Sequence, residues 1–377
     1  MSLPHINFIR MIRFPLILLL MICADAFGQK ITYNYLVDST DNDTREVMTL
    51  FENYLHNRPQ DQTENHYWNT DDQQKYLQFD FLESEFQPSL YMGFPVHVLS
   101  ITFRKEICEI KAQFSSCKAD GSPYVLAIVN YIAKKEDGSY RLYNALTWNR
   151  QDWEQYSVGI VDFYYPDYHK FDHEKAEKLH TFILDLCSHL GVPPKPLEYY
   201  LADTYDEIQK LKGLDYYLGM GGQSLPSGRA SDNKVYCAGL GEYYIHEVFH
   251  AETDSYFPDM HFWAAEGIAT FLGGSRGKSL DWHIERTDRY LQSHPETDLN
   301  EMLKLTNLDS ETSFHYVLGG LIAEMIFEKG GWPLLLELMS GGVHDEDYYH
   351  TIEVLLGISK QELNEQIRQE LHKRSKD

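Results

Sequence analysis

The chain reads IHEVFHA at Ile245–Ala251 and WAAEGIATF at Trp263–Phe271, and its fold and chemistry are inferred outward from these two stretches. Residues four apart on a helix lie on one face, about one turn from each other, so His246 and His250 can reach one metal ion. Two imidazoles at this spacing bind Zn²⁺ with bonds of about 2.0–2.1 Å. The sequence therefore predicts a helical site for one zinc ion.

Two carboxylates complete the predicted site. Glu247 directly follows the first histidine, close enough to take a proton from a metal-bound water. Glu266 is the favoured third ligand, because small residues such as Ala264 and Gly267 make a slim helix that can approach the first one closely. Three protein ligands and a water are the composition of a catalytic zinc site.

Other interpretations of these residues stay open at this point. His261 and Asp254 are alternative third ligands, although Asp254 suits better a partner that orients a ligating imidazole. The spacing of Cys237 does not single it out as a ligand. A surface helix with two solvated histidines is the plain alternative, but the apolar pair Val248–Phe249 indicates a helix buried on one side, where polar groups need a partner.

Together, the two stretches resemble the gluzincin metallopeptidases, the superfamily of thermolysin and aminopeptidase N. In the aminopeptidase branch the third-ligand helix reads Trp-x-x-Glu-Gly-x-Ala-Ser/Thr-Phe/Tyr, and Trp263–Phe271 matches this pattern. That branch also has a Tyr-x-x-Gly pattern at the start of a later helix, whose tyrosine donates to the oxyanion; Tyr316–Gly319 has this form. His315 is the alternative donor, since it is adjacent and chemically able. The resemblance covers about residues 172–375.

The resemblance implies a mostly helical metallopeptidase domain with a small edge sheet, acting on a peptide or protein substrate. It assigns one Zn²⁺ to His246, His250 and Glu266. It makes Glu247 the general base and Tyr316 the oxyanion stabiliser. The Gly-x-Met-Glu-Asn strand that holds the substrate's amino terminus in aminopeptidases is missing from residues 233–242. An endopeptidase or a narrow peptidase is therefore an equal alternative to an aminopeptidase.

Three further functions would use some of the same residues. A zinc hydrolase of a non-peptide amide would need the whole set. A non-catalytic exported binding protein with a peptidase-like fold would not require Glu247. A structural zinc site would fill all four coordination positions with protein ligands.

The first residues of the chain predict export. Arg10 and Arg13 precede the apolar run 14–22, and small residues follow it, which is the order of a signal peptide covering residues 1–28. The apolar run is too short to span a bilayer core of about 30 Å. Ile22 before Cys23 is bulkier than lipidation sites accept, which disfavours a lipid anchor. We therefore expect a periplasmic or secreted protein without a stable membrane span.

Composition narrows the choice of partners. The chain has 33 Lys and Arg against 57 Asp and Glu, a net charge of −24. Such a charge repels a phosphate backbone, so nucleic-acid binding is not expected. Cys108 and Cys117 could close a small disulfide loop, and buried free thiols are the alternative for these and for Cys187 and Cys237. The sequence indicates no oligomeric state.

The expected fold class is α+β, with an N-terminal α+β domain at 29–165 and a metallopeptidase-like domain at 166–377. The first domain begins with a helix capped by Asp43, with Val47, Phe51 and Tyr54 on its apolar face.

Strands then dominate the first domain, and their short links predict an antiparallel meander. The predicted strands are Val96–Phe103, Ile107–Phe114, Tyr124–Ala133, Tyr140–Leu146 and Tyr156–Tyr164. Their many tyrosines fit core and cross-strand packing, with a glycan- or peptide-binding face as the alternative. In the second domain, Val235–Ala238 is expected to be an edge strand that leads into the site.

Overall fold

The computed structural model describes residues 30–56, 65–75, 94–222, 226–231 and 233–376, so the predicted signal peptide and Cys23 lie outside the described residues. The chain divides into two compact units. The first unit is made of Met1–Gln151 with Gln209–Gln223, and the second of Asp152–Ile208 with Ser224–Asp377. Sheet elements are frequent in the first unit and helices follow in the second, so the fold class is α+β as expected.

The strands of the described part form two sheets. They are β1 (Ile31–Tyr33), β2 (Val96–Arg104), β3 (Ile107–Cys117), β4 (Pro123–Glu136), β5 (Ser139–Tyr143), β6 (Glu154–Val158), β7 (Val161–Tyr165), β8 (Leu197–Ala202), β9 (Leu214–Tyr217), β10 (Ser227–Ser231) and β11 (Lys234–Ala238).

The described residues also form α-helices. They are α1 (Asn42–His56), α2 (Thr70–Lys75), α3 (Ala145–Asn149), α4 (His173–Leu190), α5 (Tyr205–Leu211), α6 (Ile245–Thr253), α7 (Phe262–Gly273), α8 (Leu280–Ser293), α9 (Phe314–Gly330), α10 (Trp332–Met339), α11 (Asp345–Leu356) and α12 (Leu363–Arg374), with 3-10 helices at Arg150–Asp152 and Leu299–Lys304.

The first unit contains the predicted meander. Strands β2, β3, β4 and β5 pair antiparallel in sequence order, β1 joins β2 in parallel, and β9 returns to pair with β4. Helix α1 buries Val47, Phe51 and Tyr54, as its period of apolar residues predicts. Its first turn is capped by Asp41, which accepts from the Thr44 backbone N–H at 2.8 Å, and not by Asp43 as expected.

The second unit contains a mixed sheet in the order β10-β11-β8-β7-β6. The predicted strand Tyr156–Tyr164 is in fact the hairpin of β6 and β7, and β7 pairs in parallel with β8 through Phe163 and Tyr199. The compact units divide after Gln151, with Gln209–Gln223 joining the first unit, and the domain boundary expected after residue 165 stays a prediction.

A disulfide between Cys108 and Cys117 does not form. Both residues lie in β3, near its two ends. An extended strand rises about 3.3 Å per residue, so their Cα atoms are roughly 30 Å apart, whereas a disulfide needs less than about 7 Å. Cys108, Cys117, Cys187 and Cys237 are all free thiols, and only Cys117 is exposed.

Helix α6, which carries IHEVFH, is buried on two sides rather than one. Val248 and Tyr244 pack with the strands of the mixed sheet in one apolar cluster. Phe249 packs on the opposite side with Ile268 and Leu318 in a second cluster built from the following helices. This position between a sheet and a helical layer fixes the direction in which the polar residues of α6 can point.

No helix in the described part of the chain combines the length and the apolar character that a membrane crossing requires.

Candidate metal centre

The structure brings His246, His250 and Glu266 together at one point of the second unit. One ligand atom from each lies within 4.8 Å of the others. The Nε2 atoms of His246 and His250 are 3.2 and 3.7 Å from Oε2 of Glu266. Ligands on a tetrahedral ion with bonds of about 2.0–2.1 Å are about 3.3–3.4 Å apart, so one Zn²⁺ fits among these three atoms.

Glycines let α7 bring Glu266 to this point. A Cβ added at Gly267 would lie 2.4 Å from the carbonyl carbon of Gly319 in α9, and one at Gly273 would lie 2.7 Å from the backbone N of His246. These distances are far shorter than carbon contacts of about 3.5–4.0 Å. Gly267 therefore serves the approach to α9 and not, as predicted, the approach to α6; the close approach to α6 is at Gly273, which the prediction did not name.

His246 is oriented by the chain that follows α7. Its Nδ1 donates to the Gly274 carbonyl at 2.8 Å, and its side chain is 3% exposed. A hydrogen bond on Nδ1 fixes the tautomer that leaves Nε2 available for a metal. No sequence pattern indicates this contact, since the partner is a backbone carbonyl.

The surroundings of His250 test whether a metal ion fits the cluster. Its Nε2 is buried and has no hydrogen-bond partner among the described residues. Its Nδ1 faces Asp254 Oδ1 at 3.6 Å, the orienting position expected for Asp254. Burial opposes the charged imidazolium, but Asp254 and Glu266 outweigh burial and raise the pKa of His250 to about 10. A buried nitrogen whose nearest carboxylate oxygen lies 3.7 Å away, beyond hydrogen-bond range, is costly, and a cation ligated there would remove that cost.

The surroundings of Glu266 favour its charged carboxylate form, which can bind a cation. Burial alone would raise its pKa, but the neighbouring His246 and His250 hold that pKa well below its usual range. Two imidazole nitrogens and one carboxylate oxygen are a donor set that suits Zn²⁺.

Glu247 lies on the side of α6 that faces the mixed sheet's edge. Its Oε2 accepts from the backbone N–H of Ala230 in β10 at 2.7 Å. A Cβ at Gly228 would lie 2.6 Å from Glu247 Cγ and 2.4 Å from the Tyr244 ring, so only glycine allows β10 this close. The edge strand at the site is therefore β10; the predicted edge, Val235–Ala238, is the interior strand β11, paired on both sides.

Tyr316 and His315 both lie near the ligands, with different neighbours. The Tyr316 ring is 5.6 Å from the His246 ring, edge to face. Burial raises the pKa of Tyr316 to about 12, so the hydroxyl keeps the proton that it would donate. The His315 ring packs 5.0 Å from Phe262, and burial lowers its pKa.

The remaining candidate ligands lie away from the three-residue cluster. His261 caps the start of α7, with its ring stacked on Tyr348 at 4.6 Å and its Nε2 3.3 Å from Asp345. Cys237 is buried in β11, and its thiol donates to the Gly241 carbonyl at 3.4 Å.

Comparison with known proteins gave few matches. No protein-family model matches the sequence, and no curated protein matches it. Among solved structures, the chain is similar to the M1 zinc metallopeptidase of Deinococcus radiodurans, with 12% identity and a TM-score of 0.32. A point mutant of that enzyme bound to a Tyr-Ser-Ala substrate gives 11% identity and a TM-score of 0.31.

These alignments cover 74% of this chain and 62% of the metallopeptidase chains, so this protein spans less than two thirds of their length. At so low a TM-score, neither the fold nor the activity of these metallopeptidases can be assigned to this chain. Any function inferred for this chain rests on its own residues.

Proposed function

We propose that this protein is a zinc-dependent metallopeptidase in which His246, His250 and Glu266 hold one Zn²⁺. The carrying observation is the convergence of two imidazole nitrogens and one carboxylate oxygen within 4.8 Å, with one of those nitrogens buried and without a hydrogen-bond partner among the described residues. Three ligands leave a coordination position for water, as catalytic zinc sites do.

When bound, zinc supplies an acidified water at neutral pH and a positive charge for a developing oxyanion. Glu247 acts as the general base, taking a proton from the attacking water and passing it to the leaving amine. One of its oxygens is held by Ala230, and the other makes no hydrogen bond within the described ranges. Tyr316 donates its hydroxyl hydrogen bond to the oxyanion.

A peptide substrate is favoured by the sheet edge next to the base. β10 is the outermost strand of the mixed sheet in the described part of the chain, and Glu247 is bonded to it. An extended peptide can add to such an edge through backbone hydrogen bonds. A small non-peptide amide would not need a strand edge at this point.

A structural zinc site and a non-catalytic binding protein fit these residues less well. A structural zinc site needs four protein ligands, and among the described residues no fourth His, Cys, Asp or Glu joins the cluster. A non-catalytic binding protein would not need a carboxylate beside the first ligand, and Glu247 is there.

The test is cleavage profiling of a complex peptide mixture with the zinc-loaded full-length protein, beside Glu247→Gln. Glutamine keeps the shape of glutamate but cannot accept the proton, so we expect zinc content to stay and turnover to be lost. Equal cleavage by both proteins, or none by the wild type in the presence of one equivalent of zinc, would refute the proposal.

A further inference from the structure

A cleft of about 580 Å³ lies in the same unit as the metal cluster. Its walls come from the residue before β10, the two residues after β11, the loop 274–279 between α7 and α8, the first turn of α8 and Glu311. The side chains that matter for its chemistry are Arg276, Lys278, Trp282, Glu311, Leu240 and Pro226.

The loop 274–279 joins this cleft to the metal cluster. Its first residue, Gly274, accepts the hydrogen bond of His246. The same loop therefore orients a proposed zinc ligand with Gly274 and forms a wall of the cleft with residues 276–278.

The cleft presents positive charge without carboxylate partners. Arg276 donates to the Ser310 carbonyl at 2.8 Å, and Lys278 lies 5.5 Å from the Trp282 ring centre. Neither cation forms an ion pair with a described residue. Arg286, which lies 5.2 Å from the Trp282 ring centre, is by contrast paired with Asp309 at 2.6 Å.

This arrangement stands out in a chain with a net charge of −24. Glu311 contributes one negative charge to the lining, so the cleft keeps an excess of one positive charge. The half-buried guanidinium of Arg276 and the exposed ammonium of Lys278 favour a carboxylate guest through charge-assisted hydrogen bonds. The indole of Trp282 and the side chain of Leu240 offer apolar surface for the carbon chain that carries it.

The edge strand leads from the base to this cleft. Glu247 is bonded to Ala230, and Pro226, four residues earlier on the same strand path, lines the cleft. A strand rises about 3.3 Å per residue, so this path is about 13 Å long. A peptide lying along β10 would place a side chain or its terminus in the cleft within about four residues of the bond next to Glu247.

We propose that this cleft is a subsite for a carboxylate of the substrate, held by Arg276 and Lys278; the proposal rests on the peptidase function proposed above. The carboxylate can come from an Asp or Glu side chain or from the free carboxyl terminus of the peptide. Both present the same chemistry to the two cations.

The test uses the full-length Glu247→Gln protein, which should bind peptides without cleaving them. Fluorescein-labelled peptide pools that differ only in Glu against Gln, or in a free against an amidated carboxyl terminus, are titrated by anisotropy. We expect one acidic pool to bind about tenfold more tightly than its neutral twin, with a difference that shrinks as salt rises. The pool that shows the preference identifies the source of the carboxylate.

Charge removal in the cleft provides the decisive comparison. Arg276→Gln with Lys278→Gln should abolish the preference, whereas Lys178→Gln should keep it, because Lys178 is a surface cation paired with Glu174 at 2.7 Å. Equal binding of acidic and neutral pools, or a preference that survives the double substitution, would overturn the proposal.

The wild-type protein separates this proposal from the peptidase function. Cleavage without acid preference would reject the subsite and keep the peptidase. Acid-selective binding without any cleavage would support the subsite and reject the peptidase.

Discussion

The close contact between α7 and α9 predicts that adding one methyl group at Gly267 will disturb the metal centre. A helical Gly→Ala change ordinarily stabilises a protein by up to about 1 kcal/mol. Here the new Cβ would lie 2.4 Å from the backbone carbonyl carbon of Gly319 and 2.5 Å from its carbonyl oxygen. Carbon contacts need about 3.5–4.0 Å, so the helices must separate by about 1 Å.

Overpacking of this kind costs about 1–3 kcal/mol. For a domain of roughly 150–250 residues each kcal/mol lowers Tm by about 2–4 °C, so Gly267→Ala should melt about 2–12 °C lower. Metal–ligand distances tolerate only about ±0.2 Å, and Glu266 is the preceding residue. We therefore expect zinc affinity to fall about 10- to 100-fold.

Gly320→Ala in α9 is the matched control. Its Cβ would meet a terminal methyl of Leu280 at 2.8 Å, and a side-chain end can move where a backbone cannot. We expect its Tm and zinc affinity to equal or exceed those of the wild type. Thermal unfolding by circular dichroism and competitive zinc titration measure both quantities. A Gly267→Ala protein as stable and as zinc-avid as Gly320→Ala would refute the reasoning.

Three further predictions concern other residues. Tyr316→Phe should lower kcat by about 10²–10³ with less change in KM. If Tyr316→Phe keeps its activity while His315→Ala loses it, His315 is the oxyanion donor. Burial lowers the pKa of His283 below 6.5, so the unfolded chain binds protons more readily than the folded one. The free energy of unfolding should therefore be highest above pH 6.5 and decrease below it. Between pH 6.5 and about pH 5, the urea midpoint of His283→Gln should decrease less than that of the wild type. Mass spectrometry of exported protein should find an amino terminus close to Gln29 or Phe27, and a retained Met1 or a lipid on Cys23 would contradict the prediction of export without an anchor.

Features set by local sequence are predictable in this protein. Asp172 and Gly191 cap α4 at its two ends, as residue types with those preferences predict. The alternation of apolar residues predicts β2, β3 and β4 within a few residues of their observed bounds. The clustering of His246, His250 and Glu266 follows from helix geometry and from the small residues of α7.

Features set by distant pairing are not predictable from one sequence. The hairpin β6–β7 follows the meander in the chain, but its parallel pairing with β8 places it in the other sheet. The apolar residues of Val235–Ala238 favour that segment as the edge strand, whereas Ser227–Ser231 has few apolar residues and is the strand that contacts Glu247. The contact between His246 and Gly274 is made by a backbone carbonyl, which leaves no mark in side-chain patterns.

Zinc stoichiometry of the purified full-length protein and three variants tests the central claim most directly. We predict one zinc per chain in the wild type and in His261→Ala, and loss of zinc in His250→Ala and in Glu266→Ala. His261 is the informative control, because its position in the sequence makes it a candidate ligand while the structure places it beside Asp345 and outside the cluster. Zinc retained at one per chain in His250→Ala or Glu266→Ala, or lost in His261→Ala with the fold intact, would contradict the proposed ligand set.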